Sequence, residues 1–307
     1  MIDLHTHSNI SDGDLSPALL VKEAIRQGLR AIALTDHDSI NGLESARTAA
    51  NEGNIKFIPG IEINISWLGG KSMRGAPGLG PGGEFHLLGL GIKSPSPDFI
   101  SAVKELSRRR EARNREILSK MNKLNIDATW DELLAISREE PYIANAASAK
   151  SKPEKGLSLG RPHFASLLVK RKIVKNRNQA FDRYLGAGKP LYVPKEGLVF
   201  EEAVSIIRES GGIPVLAHPI SLYIAWGHLP ELVKILKNLG LMGLEAWNPT
   251  TRPGSCRRLE ALGKSLDLYV TEGSDFHGSA RPDRRLGYSG KGRKINDAIL
   301  EAIPELL

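Results

Sequence analysis

At 307 residues the chain is long enough for one large domain or two smaller ones with a full buried core. Apolar residues at 41% and charged residues at 25% exclude a disordered, collagenous or fibrous chain, and the single cysteine, Cys256, excludes an internal disulfide and a multi-cysteine zinc site. The net charge of +7 is concentrated in the middle: residues 99–195 hold 21 basic against 10 acidic side chains, whereas the remainder holds 21 against 25.

In chain order, β-like runs are expected at residues 2–7, 31–35, 56–59, 61–65, 85–91, 213–217, 242–246 and 268–271. Helical patterns lie between them at 17–27, 42–51, 201–209, 230–238 and 255–265. The first helix carries its own punctuation, with Ser16 as N-cap, Pro17 in the first helical position and Gly28 just past the end. Such alternation predicts a parallel α/β architecture, open or closed into a barrel. Residues 99–138 break the rhythm with a charged helical pattern, and helical character resumes around 162–184, so 99–195 is read as a helical insertion between barrel halves 1–98 and 196–307. The basic run Arg108-Arg109-Arg110, Arg113, Arg115, Lys120 and Lys123 wraps around its helix and is read as a solvated surface rather than a nucleic-acid stripe. Residues 71–83 are Gly- and Pro-rich and read as a mobile loop; Gly70-Lys71-Ser72 is no phosphate loop, because Ile stands at 65 where that motif needs Gly. No apolar run approaches the ~18 residues of a membrane span, and Met1 to His7 lack a leader pattern, so a cytoplasmic protein is expected.

The histidines are placed unusually. His5 and His7 are two apart on a strand and leave the same face; His37 follows Thr35-Asp36, His86 opens its strand, His218 ends the 213–217 run and His277 lies two residues after Asp275. Strand ends are where α/β folds collect active-site groups. With Asp12 and Glu62 these make six imidazoles and three carboxylates, too many for one ion of four to six ligands, and they suit two or three Mn, Zn or Fe ions. Such ions neutralise phosphate oxygens and supply hydroxide near neutral pH, with a carboxylate such as Glu62 bridging two of them. Asp3, Asp36 and Asp38 are candidates to hold the imidazoles from behind.

His5-Thr6-His7, Thr35-Asp36-His37-Asp38, Gly60-Ile61-Glu62, Leu216-Ala217-His218-Pro219 and Ser274-Asp275-Phe276-His277 together resemble the successive motifs of the PHP (polymerase and histidinol phosphatase) family. The resemblance implies a distorted (β/α)7 barrel that hydrolyses phosphoesters at a trinuclear metal site. It also implies a division of ligands: His5, His7, Glu62 and Asp275 for one ion, Glu62, His86 and His218 for a second, Asp12, His37 and His277 for a third. The loop between Trp67 and His86 departs from the family's tight connection and is read as a lid.

Gly160-Arg161-Pro162-His163 and the run Tyr184 to Lys195 resemble the PHP subfamily whose helical insertion serves nucleotide phosphates. On that reading Glu62, Asp36, His163 and Arg161 are catalytic, and Arg161, His163, Lys189, Lys195 and Asn248 bind substrate, Arg161 as a bidentate phosphate clamp. Trp247 is a base contact or simple packing. The expected activity is phosphate release from a small nucleotide such as a 3′,5′-bisphosphate, with no membrane or obligate protein partner. The same-class alternative is a 5′-to-3′ exonuclease on short RNA or DNA. A histidinol-phosphate phosphatase has no need of the basic insertion, and an inactive nucleotide-binding module conflicts with the complete ligand set.

Overall fold

The computed structural model describes residues 1–66, 82–137 and 158–307. Most of the loop read over 71–83, the Gly70-Lys71-Ser72 stretch and part of the basic segment fall outside them.

Seven strands form one sheet in sequential order: β1 (Ile2–Asp3), β2 (Ala31–Leu34), β3 (Lys56–Asn64), β4 (His86–Leu90), β5 (Ile213–Leu216), β6 (Gly243–Trp247) and β7 (Tyr269–Glu272). The ends approach each other through a parallel bridge between Thr6 and Phe276, with the His7 N–H donating to the Phe276 carbonyl at 2.9 Å. The expected seven-strand barrel is thus nearly closed. It is not wholly parallel, because β4 runs antiparallel to both β3 and β5. The two runs expected at 56–59 and 61–65 are one continuous strand through Gly60, where a side chain would strike Thr35 and the Gly89 carbonyl.

Ala31–Leu34 is buried on both faces, as the apolar composition of a covered parallel strand requires. Inward residues of successive strands, among them Leu4, Ala33, Ile58, Leu88 and Val215, pack together and are closed from below by Ile295, Leu300, Ile303 and Leu306. Outside lie the helices α1 (Pro17–Arg26) and α2 (Leu43–Glu52), and further on α6 (Phe200–Glu209), α7 (Leu229–Asn238) and α8 (Pro253–Ser265). Helix α1 begins as expected, with the Leu19 N–H donating to Ser16 Oγ at 3.4 Å and Gly28 taking φ +77°.

Helix α3 (Pro97–Lys123) is capped by Ser96, whose Oγ accepts the Phe99 N–H at 3.1 Å. Its first half buries Phe99, Val103 and Leu106 against Phe200 and Ile207 of the barrel layer. Its second half buries Ile117 and Met121 in a separate core with Phe164, Leu168, Leu185 and Leu191, to which α4 (Trp130–Ser137) and α5 (Arg161–Lys170) contribute. Fully burying each such side chain contributes roughly 1.5–3 kcal/mol. One helix therefore belongs to two cores. No helix among the described residues is long and apolar enough to cross a membrane.

Candidate metal centre

All nine predicted groups converge at the carboxyl edge of the sheet. His86 opens its strand whereas the other histidines follow the ends of theirs, and the reversal of β4 resolves this: the start of an antiparallel strand lies beside the ends of its neighbours. Glu62 stands at the centre. Its Oε1 is 2.9 Å from both His86 Nδ1 and His218 Nε2; its Oε2 is 2.9 Å from His37 Nδ1 and 3.3 Å from His7 Nε2. His5 and His7 bring their Nε2 atoms to 3.1 Å, and Asp275 Oδ1 is 3.5 and 3.3 Å from them. Asp12 approaches His277 Nε2 at 3.3 Å.

Four overlapping sets could each hold an ion: His7, Asp12, His37 and His277; His5, His218 and Asp275; His5, His7 and Glu62; His37, Glu62 and His86. His218 lies with His5 and Asp275 as well as beside Glu62, so the ligand sets overlap more than the division implied by the resemblance. A cation suits the centre on an independent ground: Glu62 Oε2, His37 Nδ1 and Asp12 Oδ1 are buried without a well-aligned hydrogen bond, although Glu62 Oε2 and His37 Nδ1 are only 2.9 Å apart, an arrangement costly in a purely protein interior. His218 (φ 27°) and Asp275 (φ 49°) also hold left-handed backbone, worth of order 1–3 kcal/mol of strain each and typical of functional positions.

The electrostatics fit a cation as well. Burial pulls the His37 imidazole down to about 4, leaving it neutral and able to donate a lone pair. Burial acts the same way on His7, but hydrogen bonds to Asp275 and Glu62 outweigh it and raise that ring to about 9, so a metal there would displace a proton. Burial disfavours the charged forms of Glu62, Asp275 and Asp12, yet the surrounding imidazoles, with Arg284 at Asp275, hold all three well below the usual carboxylate range.

The residues that orient the imidazoles differ from those expected. Asp3 accepts backbone N–H groups of His5, Ser274 and Gly287; Asp36 accepts from the Ser8 N–H and the Ser8 and Ser11 hydroxyls; Asp38 accepts from the Asn64 N–H and pairs with Arg110. None of the three hydrogen-bonds an imidazole among the described residues, and Asp36 is linked to His7 through Ser11, whose Oγ donates to Asp36 at 2.7 Å and lies 3.4 Å from His7 Nδ1. The ring-holding carboxylate is Glu245 on β6, 2.9 Å from His5 Nδ1, and Gly273 leaves the space for it, since a side chain there would strike both residues. A charged residue inside the apolar run Met242-Gly243-Leu244-Glu245-Ala246 was the available signal. Arg284, 2.5 Å from Asp275 Oδ2, was likewise not foreseen.

Above the centre opens a cavity of about 770 Å³. Arg110, Arg113, Arg161, Arg177 and Lys195 line it from the basic segment, Arg281 and Arg284 from the stretch after β7. The run read as solvated therefore divides: Arg108 pairs with Glu105 at the surface, while Arg110 and Arg113 turn inward. Arg113 is 8% exposed and has no carboxylate partner among the described residues; burial, then Arg110 and Arg161, lower it to about 9. Arg161 and Lys195 share Glu84, at 2.9 and 3.4 Å, and those charges, Lys195 foremost, hold Glu84 far below the usual carboxylate range.

Three expected substrate residues do not line this cavity. His163 Nδ1 accepts the Gly160 N–H at 3.0 Å and caps α5, so its ring is committed to the helix terminus that presents Arg161. Lys189 is exposed on a turn. Asn248 is 1% exposed, donating to Glu245 at 3.3 Å and accepting from Thr250. Trp247 is packing: its indole N–H donates to Glu260 and Arg293 covers its ring.

Comparison with known proteins places the chain among phosphoesterases. A family model described as PHP domain matches residues 3–160. A 5′-3′ exoribonuclease of Haemophilus influenzae is 33% identical over 275 residues, covering 90% of this chain and 89% of the relative. A 3′,5′-nucleoside bisphosphate phosphatase of Chromobacterium violaceum is 29% identical over 288 residues, covering 94% and 91%. The crystal structure of a metal-dependent phosphoesterase from Bifidobacterium adolescentis superposes with a TM-score of 0.80 at 25% identity, covering 98% of this chain and 94% of that one.

Proposed function

The chain belongs to the PHP family and is a metal-dependent hydrolase of phosphoric esters, and from that premise we propose that it removes the 3′-phosphate of small nucleotides such as nucleoside 3′,5′-bisphosphates, leaving the 5′-monophosphate. The observation that carries this reading is the sharing of one cavity by seven groups of the nine-group metal-compatible cluster and cations from the segment 99–195, which acts as a cap over barrel halves 1–98 and 196–307. The cavity's ~770 Å³ suits one nucleotide rather than a folded polymer.

Two or three ions, of Mn, Zn or Fe by the imidazole and carboxylate donors, would be held by His5, His7, Asp12, His37, Glu62, His86, His218, Asp275 and His277. Bound there, such ions neutralise phosphate oxygens and provide hydroxide at neutral pH. Glu62 offers one oxygen to each side of the cluster, Glu245 fixes the His5 ring, and Arg284 holds Asp275. Arg161 and Lys195 grip the distal 5′-phosphate, and that charge-assisted contact sets the 3′-phosphorus against the cluster.

A second reading, 5′-to-3′ hydrolysis of short RNA or DNA, draws on the 33%-identical relative. It breaks the same bond, between phosphorus and O3′ of the first nucleotide. Arg161→Ala tests the shared grip: kcat/KM on adenosine 3′,5′-bisphosphate should fall tenfold or more, with a much smaller loss on p-nitrophenyl phosphate, which cannot reach both sites. Lys at 161 should rescue poorly, lacking the planar fork. Equal losses on both esters would refute the grip. Length-dependent, strongly salt-sensitive turnover of oligonucleotides would favour the second reading.

A further inference from the structure

We propose that Glu84 is a specificity-determining residue: its carboxylate stands where the distal phosphate of the substrate binds, so that only a dianionic group displaces it. The proposal rests on the reading of Arg161 and Lys195 as the phosphate grip.

Glu84 Oε1 lies 2.9 Å from Arg161 Nη2 and 3.4 Å from Lys195 Nζ. The two cations come from distant parts of the chain and converge on this one oxygen. They are enclosed, with side chains 15% and 21% exposed, whereas that of Glu84 is 50% exposed. The anion of the pair is therefore the half with open water beside it. Arg161 is further held near the rings of Phe181 and Tyr192, at 5.8 and 5.9 Å, so the guanidinium is fixed while the carboxylate is free to turn outward. Lys195 Nζ is also 3.4 Å from His86 Nε2, which sets the pair beside the metal-compatible cluster.

Charge decides what can take the place of Glu84. Arg161 and Lys195 line the same cavity, and Glu84, the carboxylate paired with both among the described residues, sets a single negative charge against their two positive ones. A phosphate dianion brings two charges and three acceptor oxygens and so outcompetes one carboxylate, while the displaced carboxylate is rehydrated at its exposed side. A 5′-hydroxyl brings neither and leaves the ion pairs standing. Glu84 thus competes with the distal phosphate for the grip and holds down the affinity that this phosphate adds, while nucleotides without it are unaffected.

The test compares wild-type and Glu84→Gln holoenzyme on adenosine 3′,5′-bisphosphate and adenosine 3′-monophosphate. With its competitor neutralised, KM for the bisphosphate should fall at least threefold relative to KM for the monophosphate, and the gain should vanish in Glu84→Gln/Arg161→Ala. An unchanged or opposite ratio overturns the proposal. If the wild-type enzyme turns over neither nucleotide, the functional reading falls, and calorimetric titration with inorganic sulfate decides on Glu84 alone. Binding at least threefold tighter in Glu84→Gln, lost in the double variant, supports the displacement; equal affinity overturns it.

Discussion

Glu245 accepts from His5 Nδ1 across 2.9 Å with one oxygen and from the backbone N–H of His218 across 2.7 Å with the other. One carboxylate on β6 thereby fixes the tautomer of His5, whose Nε2 faces the cluster, and pins the left-handed backbone of His218. Glu245→Gln must turn an amide N–H₂ toward one of these donors. Metal affinity should fall 10- to 100-fold, with activity partly restored in excess metal, as read by competition titration against a chelating dye. Unchanged affinity would mean that Glu245 serves only the fold.

The guanidinium of Arg113, with no carboxylate partner among the described residues, gives a prediction of opposite signs. A buried charge is costly without a paired carboxylate, so an apolar side chain of similar volume in its place is expected to be neutral or stabilising. Arg113→Met should therefore raise the unfolding midpoint in phosphate-free buffer while raising KM for the bisphosphate about tenfold or more. Calorimetry and steady-state kinetics on the same preparation check both; lower stability with unchanged KM would assign Arg113 to structure.

The cluster was legible because the six imidazoles and Asp275 are chemically distinctive groups at strand ends, where position along the chain fixes position in the fold, with Asp12 in the first loop and Glu62 inside β3 joining them. The direction of β4 was not legible, since pairing is set by long-range register and not by the composition of His86–Leu90. Arg113 escaped because α3 changes partners along its length, so the face toward the cavity at residue 113 is not the face toward the barrel at Phe99. His163 and Asn248 were read outward, but each has a polar partner three residues away in the chain, Gly160 and Glu245, and a near partner wins over a distant ligand.

Glu272 supplies a pH test away from the cluster. Burial raises its carboxyl above the usual value, against the opposing effect of Arg293 at 2.9 Å. The folded state then binds this proton more tightly than the unfolded state, so the stabilising contribution is present below the unfolded pKa and is lost as pH rises through the folded one. Relative to Glu272→Gln, the wild-type unfolding midpoint should decline as pH increases from about 4 toward neutrality. Taking the difference between the proteins cancels titration of the histidine cluster, and a flat or rising difference would contradict the assignment.

The central claim is that His5, His7, Asp12, His37, Glu62, His86, His218, Asp275 and His277 form one multinuclear metal centre. The most direct measurement is the metal content per chain of protein purified without chelator, by plasma mass spectrometry, with Mn and Zn titrated back after stripping. The account predicts two or three ions per chain, because nine nitrogen and oxygen donors exceed what one ion of four to six ligands can use. Absence of bound transition metal, together with no binding on titration, would contradict it.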